Sequence, residues 1–348
     1  MKSIKLNAFA KLNLSLNVLS KKIGAKFHKV KFLNCEIASA DKIKIKKIEQ
    51  KTKRKFHISC GRQKCEKIDE GILINLHTKT SCDVGVKCKW QENDCYDSSC
   101  PENCLAYQAA KLLQKKFPKK IEGVEITIDK KIPTKAGLGS GSADAAAVLR
   151  GMNKLYNLEL SQKELIKIAV RIGMDVCYSV VGGLCKVEGI GEKITPLNPK
   201  ISSSVLSDRT KQVNLRKLYL VIVVPKIKKP STAWCYQNLD KRKIGKNLDK
   251  FEKIVNLLSR QKKISSVIIN LYPLNTIRYL HNDFEPLIFS RFPEVRKIKE
   301  KLLVLGAENA ILAGSGLSVV GFYIEKNIAQ KAINIMTKKY QTFLAKIL

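Results

Sequence analysis

An α+β architecture in two domains is what this sequence predicts, and three observations carry that expectation. The chain has 348 residues, 45% of them hydrophobic, which at about 100–200 residues per domain gives room for two cores. Period-2 alternation marks strands near the N-terminus and in the middle of the chain. An alanine-rich run close behind the second of these strands marks a helix.

The first strand runs from Leu6 to Val18. Its even positions are apolar (Leu6, Ala8, Ala10, Leu12, Leu14, Leu16, Val18) and its odd ones include Asn7, Lys11, Asn13, Ser15 and Asn17. Lys11 and Asn13 therefore share a face, about 7 Å apart. The second alternation, Val124 to Asp129, leads to Pro133. From Ser142, the residues Ala143, Ala145, Ala146, Ala147 and Leu149 predict a helix to about Tyr156. Ser161 and Glu164 form a capping box opening a further helix that closes at Gly173, so Asp175 stands at its exit. The run LYLVIVV, Leu218 to Val224, ends at Pro225. It reads as a buried strand, far short of the roughly 20 residues of a membrane helix.

Composition narrows the function classes. The first twenty residues lack the apolar stretch of a signal peptide, and the eleven cysteines follow no framework spacing, so the chain is expected to keep free thiols in a reducing compartment. A formal net charge of +35 raises the question of nucleic acid. The lysines are spread along the whole chain, aromatics are only 7%, and no nucleic-acid-binding signature accompanies them. The expectation is no specific nucleic-acid partner and no membrane, with a positive field that attracts anionic phosphate substrates.

The strand, glycine loop and helix around PTKAGLGSGSA, Pro133 to Ala143, carry the chemistry. A helix N-terminus leaves backbone N–H groups unpaired and suits phosphate if the backbone can come close. Gly137, Gly139 and Gly141 remove obstructing side chains, while Ser140 and Ser142 offer hydroxyls to phosphate or a magnesium ion. The G-x-x-x-x-G-K-[ST] loop is absent, and G-x-G-x-x-G fails at Ser142.

This segment resembles the phosphate-binding motif of the GHMP kinases. The flanks AKLNLSLNV (10–18), Phe27-His28, Gly173 to Val176, Lys229 to Thr232, Asn282 to Glu285 and Ala313 to Gly316 are similar, in that order, to the branch that phosphorylates a cytidine-diphosphate-linked methylerythritol in non-mevalonate isoprenoid synthesis. A homoserine- or mevalonate-type kinase, or a silent nucleotide-binding protein, remains open. The resemblance implies a GHMP kinase fold with an N-terminal domain over residues 1–187 that carries ATP and a C-terminal domain over 188–348 that completes a cytidine cleft. It implies Asp175 as the base and Lys11 as the cation that keeps it ionised. ATP and magnesium are the implied cofactors, held by Asn103, Pro133, Lys135, Ala136, Gly137, Leu138, Gly139, Ser140, Gly141, Ser142 and Ala143, with Ser142 touching the metal. Substrate contacts fall to Asn13, Phe27, His28, Thr232, Tyr236, Gly314 and Ser315, with Phe27 and Tyr236 sandwiching the cytosine and His28 reading its edge. Monomer and homodimer both remain open.

The sequence departs from the family in three places: Phe27 replaces a tyrosine, Ala25-Lys26 an Asp-Gly pair, and Thr134-Lys135 smaller residues. Residues from about 50 to 98 have no counterpart and read as a solvated, lysine-rich insertion. Cys60, Cys65, Cys82, Cys88, Cys95, Cys100 and Cys104 lie in it or at its edge, near His57 and His77. Without a C-x-x-C pair, free thiols are the expectation over a zinc site. The insertion and the lysine bias lean toward a plastid-type organelle over a bacterial cytosol.

Overall fold

The computed structural model describes residues 2–21, 24–25, 27–48, 58–60, 63–65, 72–78, 104–197, 215–227, 231–240, 244–259 and 274–348. They form two compact units. One gathers Met1–Lys11, Ser39–Thr134 and Gly139–Val181; the other gathers Leu12–Ala38, Lys135–Leu138 and Gly182–Leu348.

Two long neighbouring strands, β1 (Ser3–Val18) and β2 (Val30–Lys47), contribute residues to both units. In the first unit the end of β2 pairs antiparallel with β6 (Val124–Lys130), from Lys42 opposite Asp129 to Lys47 opposite Val124. Before β6 come a small antiparallel pair, β3 (Ile58–Cys60) and β4 (Gln63–Cys65), and the strand β5 (Ile72–Thr78). β5 runs parallel to β6 in full register, from Ile72 opposite Val124 to Thr78 opposite Lys130.

At residues 72–78, that pairing corrects the reading of the 50–98 segment as a solvated excursion. The alternating apolar residues Ile72, Ile74 and Leu76 make this piece a strand of the sheet, hidden in the sequence by its charged and cysteine-rich surroundings. Of the cysteines there, Cys82, Cys88, Cys95 and Cys100 lie outside the described residues, as does His57. Cys104 is buried, and burial pushes its thiol up to about 12.

Helices α1 (Leu105–Lys116), α2 (Ser140–Leu155), α3 (Gln162–Ala169) and α4 (Met174–Val181) complete this unit, α2 packing on both α1 and α4. α2 starts at Ser140, two residues before the expected Ser142, because Gly139 adopts a left-handed conformation (φ 70°) and serves as the N-cap. Its alanines 143, 145, 146 and 147 are buried, so small side chains let the helix sit close to its neighbours. The capping box at α3 is formed as expected: Ser161 accepts from the Glu164 amide, and Glu164 accepts from the Ser161 amide.

In the second unit the first part of β2 pairs antiparallel with β7 (Cys185–Glu188), which pairs with β8 (Lys193–Pro196). After β9 (Tyr219–Val224), α5 (Thr232–Gln237), α6 (Leu248–Ser259) and α7 (Leu274–Arg278), the short β10 (His281–Asn282) lies parallel to β1 at Ser15 and Leu16. Then follow α8 (Glu285–Arg291), α9 (Pro293–Val304), β11 (Asn309–Leu312), β12 (Val319–Tyr323), α10 (Lys326–Met336) and β13 (Gln341–Lys346). An antiparallel sheet in the order β11-β12-β9-β13 is packed by α9 and α10. β9 is its buried centre, with Leu220 to Val223 fully enclosed as the apolar run predicts.

β1 is more enclosed than its alternation implies, since every residue from Ala10 to Val18 is buried. Its polar face is satisfied by protein partners instead of water. Asn13 Nδ2 donates to Asn34 Oδ1 at 2.6 Å, and Asn17 Nδ2 donates to the Lys31 carbonyl at 3.2 Å. His281 Nε2 lies 3.1 Å from Ser15 Oγ and 2.9 Å from Asn17 Oδ1, and burial lowers the affinity of this imidazole for a second proton. No helix among the described residues is long and apolar enough to cross a membrane.

Candidate active site

Lys11 and Asp175 come together in the first unit. The Lys11 ammonium, buried on β1, lies 3.5 Å from Asp175 Oδ2, while the aspartate side chain keeps 47% of its surface in solvent. Asp175 is not at the exit of the preceding helix as expected. It sits in the first turn of α4, where a carboxylate is favoured by the unpaired amides. Gly173 does not adopt the left-handed conformation of a glycine cap; its amide closes on the carbonyl of Ala169 at the end of α3 (2.9 Å), as expected, while its own carbonyl accepts the Val176 amide (3.0 Å) and leads into α4. The far end of α4 is held by Arg150 of α2, whose guanidinium donates to the carbonyls of Ser179 and Val180. Asp175 thus projects from a helix fixed at its C-terminal end, with one oxygen on a buried cation.

The glycines of the loop have a packing reason that the sequence did not disclose. A Cβ on Gly139 would stand 2.7 Å from Lys11 Cγ, so this glycine lets the loop lie on the stem of Lys11. In the second unit, a Cβ on Gly137 (φ 82°) would overlap the Ala313 carbonyl, and one on Gly316 would come within 2.6 Å of the Gly137 nitrogen. Residues 136–137 and 313–316 therefore meet backbone to backbone. Lys135 takes a left-handed φ of 56°, a conformation that glycine, lacking a Cβ, adopts at less cost. Pro133, Ala136, Leu138, Gly141, Ser142 and Ala143 follow the same continuous stretch, the last three in the first turn of α2. Asn103 lies outside the described residues.

Ser140 is committed to a buried cluster that sequence reasoning missed. Its hydroxyl donates to Asp41 Oδ2 at 3.0 Å, and the Lys130 ammonium contacts Ser140, Asp41 and Asp144, the last at 2.6 Å. Burial works against charge on Lys130, but Asp144 and Asp41 outweigh it and hold the ammonium protonated. Burial pushes the Asp144 carboxyl up to about 7 against the pull of Lys130. One of its oxygens, Oδ1, has no hydrogen-bond partner. A signal for the cluster was present: Asp41 continues the buried alternation of Ile43 and Ile45, and Lys130 that of Ile126 and Ile128.

The second unit holds the remaining residues that the sequence nominates for the site. His28 Nδ1 lies 2.9 Å from the Leu19 carbonyl, and its ring stacks on Tyr236, centroids 5.8 Å apart at 25°. Tyr236 in turn meets Phe284 edge-on at 5.0 Å. It is thus His28 that stacks on Tyr236, while Phe27 is half exposed. Thr232 Oγ1 and Ser315 Oγ are 3.0 Å apart, and Asn282 Nδ2 donates to the carbonyls of Leu312 and Gly314, fixing the 313–316 turn.

The family models for the GHMP kinases N terminal domain and the GHMP kinases C terminal match residues 104–183 and 246–342. A 4-diphosphocytidyl-2-C-methyl-D-erythritol kinase of Clostridium botulinum is 31% identical over 339 residues, covering 96% of both chains. Its namesake in Ligilactobacillus salivarius is 38% identical over 235 residues, 68% of this chain and 71% of that one. In fold, the chain is similar to a crystal structure of 4-(cytidine 5'-diphospho)-2C-methyl-D-erythritol kinase (TM-score 0.65, 22% identity, 99% of both chains) and to homoserine kinase from Cytophaga hutchinsonii (TM-score 0.63, 18% identity, 100% of this chain and 98% of that one).

Proposed function

The chain belongs to the GHMP kinases, in the branch of the 4-diphosphocytidyl-2-C-methyl-D-erythritol kinases, and from that premise we propose how its residues carry the reaction. It is an ATP-dependent small-molecule kinase of isoprenoid precursor synthesis. The acceptor is the 2-hydroxyl of the methylerythritol unit. Asp175 accepts the hydroxyl proton as the acceptor oxygen bonds to the γ-phosphorus, the β–γ bridging bond breaks, and ADP leaves. The observation that carries this is the Lys11–Asp175 pair: a buried ammonium lies against one oxygen of a half-exposed carboxylate and leaves its other side open to substrate.

The amides of the first turn of α2 receive the phosphates, since the first intrahelical bond is donated only by Ala143, to Gly139. Ser142, in the first turn of α2, would offer its hydroxyl to a magnesium ion, a hard cation that takes oxygen ligands. No group of three or more His, Cys, Asp or Glu side chains among the described residues offers a protein cage for it. When bound, the metal offsets charge on the β- and γ-phosphates. In the second unit, the Tyr236 ring supplies a stacking face for the cytosine, and the His28 ring that now covers it would be the first group to turn aside or to stack in series. Thr232, Ser315 and Asn13 are the polar groups nearest in kind to the substrate's hydroxyls and phosphates. Cys35, Cys104, Cys177, Cys185 and Cys235 are buried free thiols, in keeping with a reducing compartment.

Purified chain incubated with ATP, magnesium and 4-diphosphocytidyl-2-C-methyl-D-erythritol tests the reading. ADP should appear in step with a phosphorylated product, and replacing the acceptor by homoserine or mevalonate should abolish turnover. Equal or greater turnover with either of those acceptors would overturn the assignment.

A further inference from the structure

We propose that Asp41 is a positioning residue that staples both ends of the glycine loop, fixing it in the form that receives ATP; this rests on the reading of that loop as the ATP site. The carboxylate is fully buried and uses both oxygens. Oδ1 accepts the amides of Lys131 and, at 2.8 Å, Ile132, the residues at which β6 gives way to the loop. Oδ2 accepts the hydroxyl of Ser140, the first residue of α2, and meets the Lys130 ammonium. One side chain, reaching in from β2, therefore ties the start of the loop to its end.

Lys130 completes the staple. It reaches Asp144, one turn further along α2, so the strand end and the helix start share one ammonium and two carboxylates. In a buried setting such links are strong only while every member is in place. Fixing the two ends of a loop removes conformations it would otherwise lose when ligand binds, which is how preorganisation raises affinity. Asp41 touches neither acceptor nor phosphate in this account. Its influence passes through the backbone at residues 131–132 and the hydroxyl at 140.

Calorimetric titration of ATP with magnesium into the full chain, beside steady-state kinetics, separates this role from general core stability. Asp41→Asn keeps the shape and still accepts the two amides with its carbonyl, but its NH2 group cannot accept from Ser140. Ser140→Ala breaks the same link while leaving Asp41 and Lys130 paired, and it serves if Asp41→Asn does not fold. Each folded variant should bind ATP at least about tenfold more weakly while KM for the cytidyl acceptor stays within about twofold, the split expected when one ligand's loop loses preorganisation. The double variant should be no weaker than the worse single one, because both remove one connection. A folded Ser140→Ala that binds ATP like the parent overturns the staple, as does an equal loss for ATP and acceptor. If the parent itself takes up no ATP, the reading of the loop falls and the staple with it.

Discussion

Replacing Gly139 by alanine tests how tightly the loop and Lys11 are fitted. Two costs act together. The backbone at residue 139 has φ 70°, and a left-handed conformation costs a residue with a Cβ about 1–2 kcal/mol. The added Cβ would also stand 2.7 Å from Lys11 Cγ, against an optimal carbon–carbon separation of about 3.5–4.0 Å. The stem of Lys11 must then move by roughly 1 Å, and its ammonium is the group held 3.5 Å from Asp175. Misplacement on that scale can lower turnover by about 10²-fold.

Gly183→Ala supplies the control. Its φ of 69° carries the same backbone cost, yet nothing lies within 4 Å of the Cβ that would be added. Urea unfolding of both variants should show a loss of about 1–2 kcal/mol at Gly183 and a larger one at Gly139. Steady-state assays should show a depressed kcat for Gly139→Ala alone. A Gly139→Ala enzyme with parental kcat, or one no less stable than Gly183→Ala, would refute the close fit of loop and lysine.

Four further outcomes follow from the same geometry. Asp175→Asn should lower kcat by about 10²–10⁴-fold with ATP affinity nearly unchanged, measured by single-turnover kinetics and titration; retention of most activity would remove Asp175 as the base. Tyr236→Ala should weaken binding of the cytidyl substrate by about 1–3 kcal/mol, the usual worth of one stacked base, and leave ATP binding alone; equal substrate affinity in calorimetry would exclude the ring as a stacking face. Replacing residues 61–97 by a Gly/Ser linker should abolish cooperative unfolding, since it removes β5 and uncovers β6, and a cooperative thermal melt near the parental temperature would count against the pairing of Ile72–Thr78. Asp144 holds its proton to about pH 7 in the fold and ionises near 4 when unfolded, so the folded state binds more protons across that window and stability from this group falls as pH rises through it. Asp144→Asn should flatten the decline between pH 4.5 and 7.5 in urea midpoints, and an unchanged slope would assign the proton elsewhere.

The elements that alternation or composition marks strongly, β1, β6, β9, α2 and the capped α3, are legible in the sequence because one local rule decides each of them. β5 was not, since a short apolar strand inside charged and cysteine-rich sequence is decided by its partner: only pairing with Val124 to Lys130 makes Ile72 to Thr78 a strand. The site divides in the same way. Lys11 and Asp175 could be named from motif resemblance, yet their 3.5 Å approach depends on the placing of α4, which Arg150 secures from another helix. The sharpest lesson lies at the ends of the alternating runs. Reading β6 as ending at Asp129 stopped one residue short of Lys130, which the same period places on the buried face; the β2 alternation of Ile43 and Ile45 likewise extends back to Asp41. A charge that falls in phase with a buried apolar face must find an opposite charge across the register or leave the core. With Lys42 opposite Asp129, the next pair along the ladder is Asp41 and Lys130, so the partner each charge required was implied once the two strands were known to be neighbours.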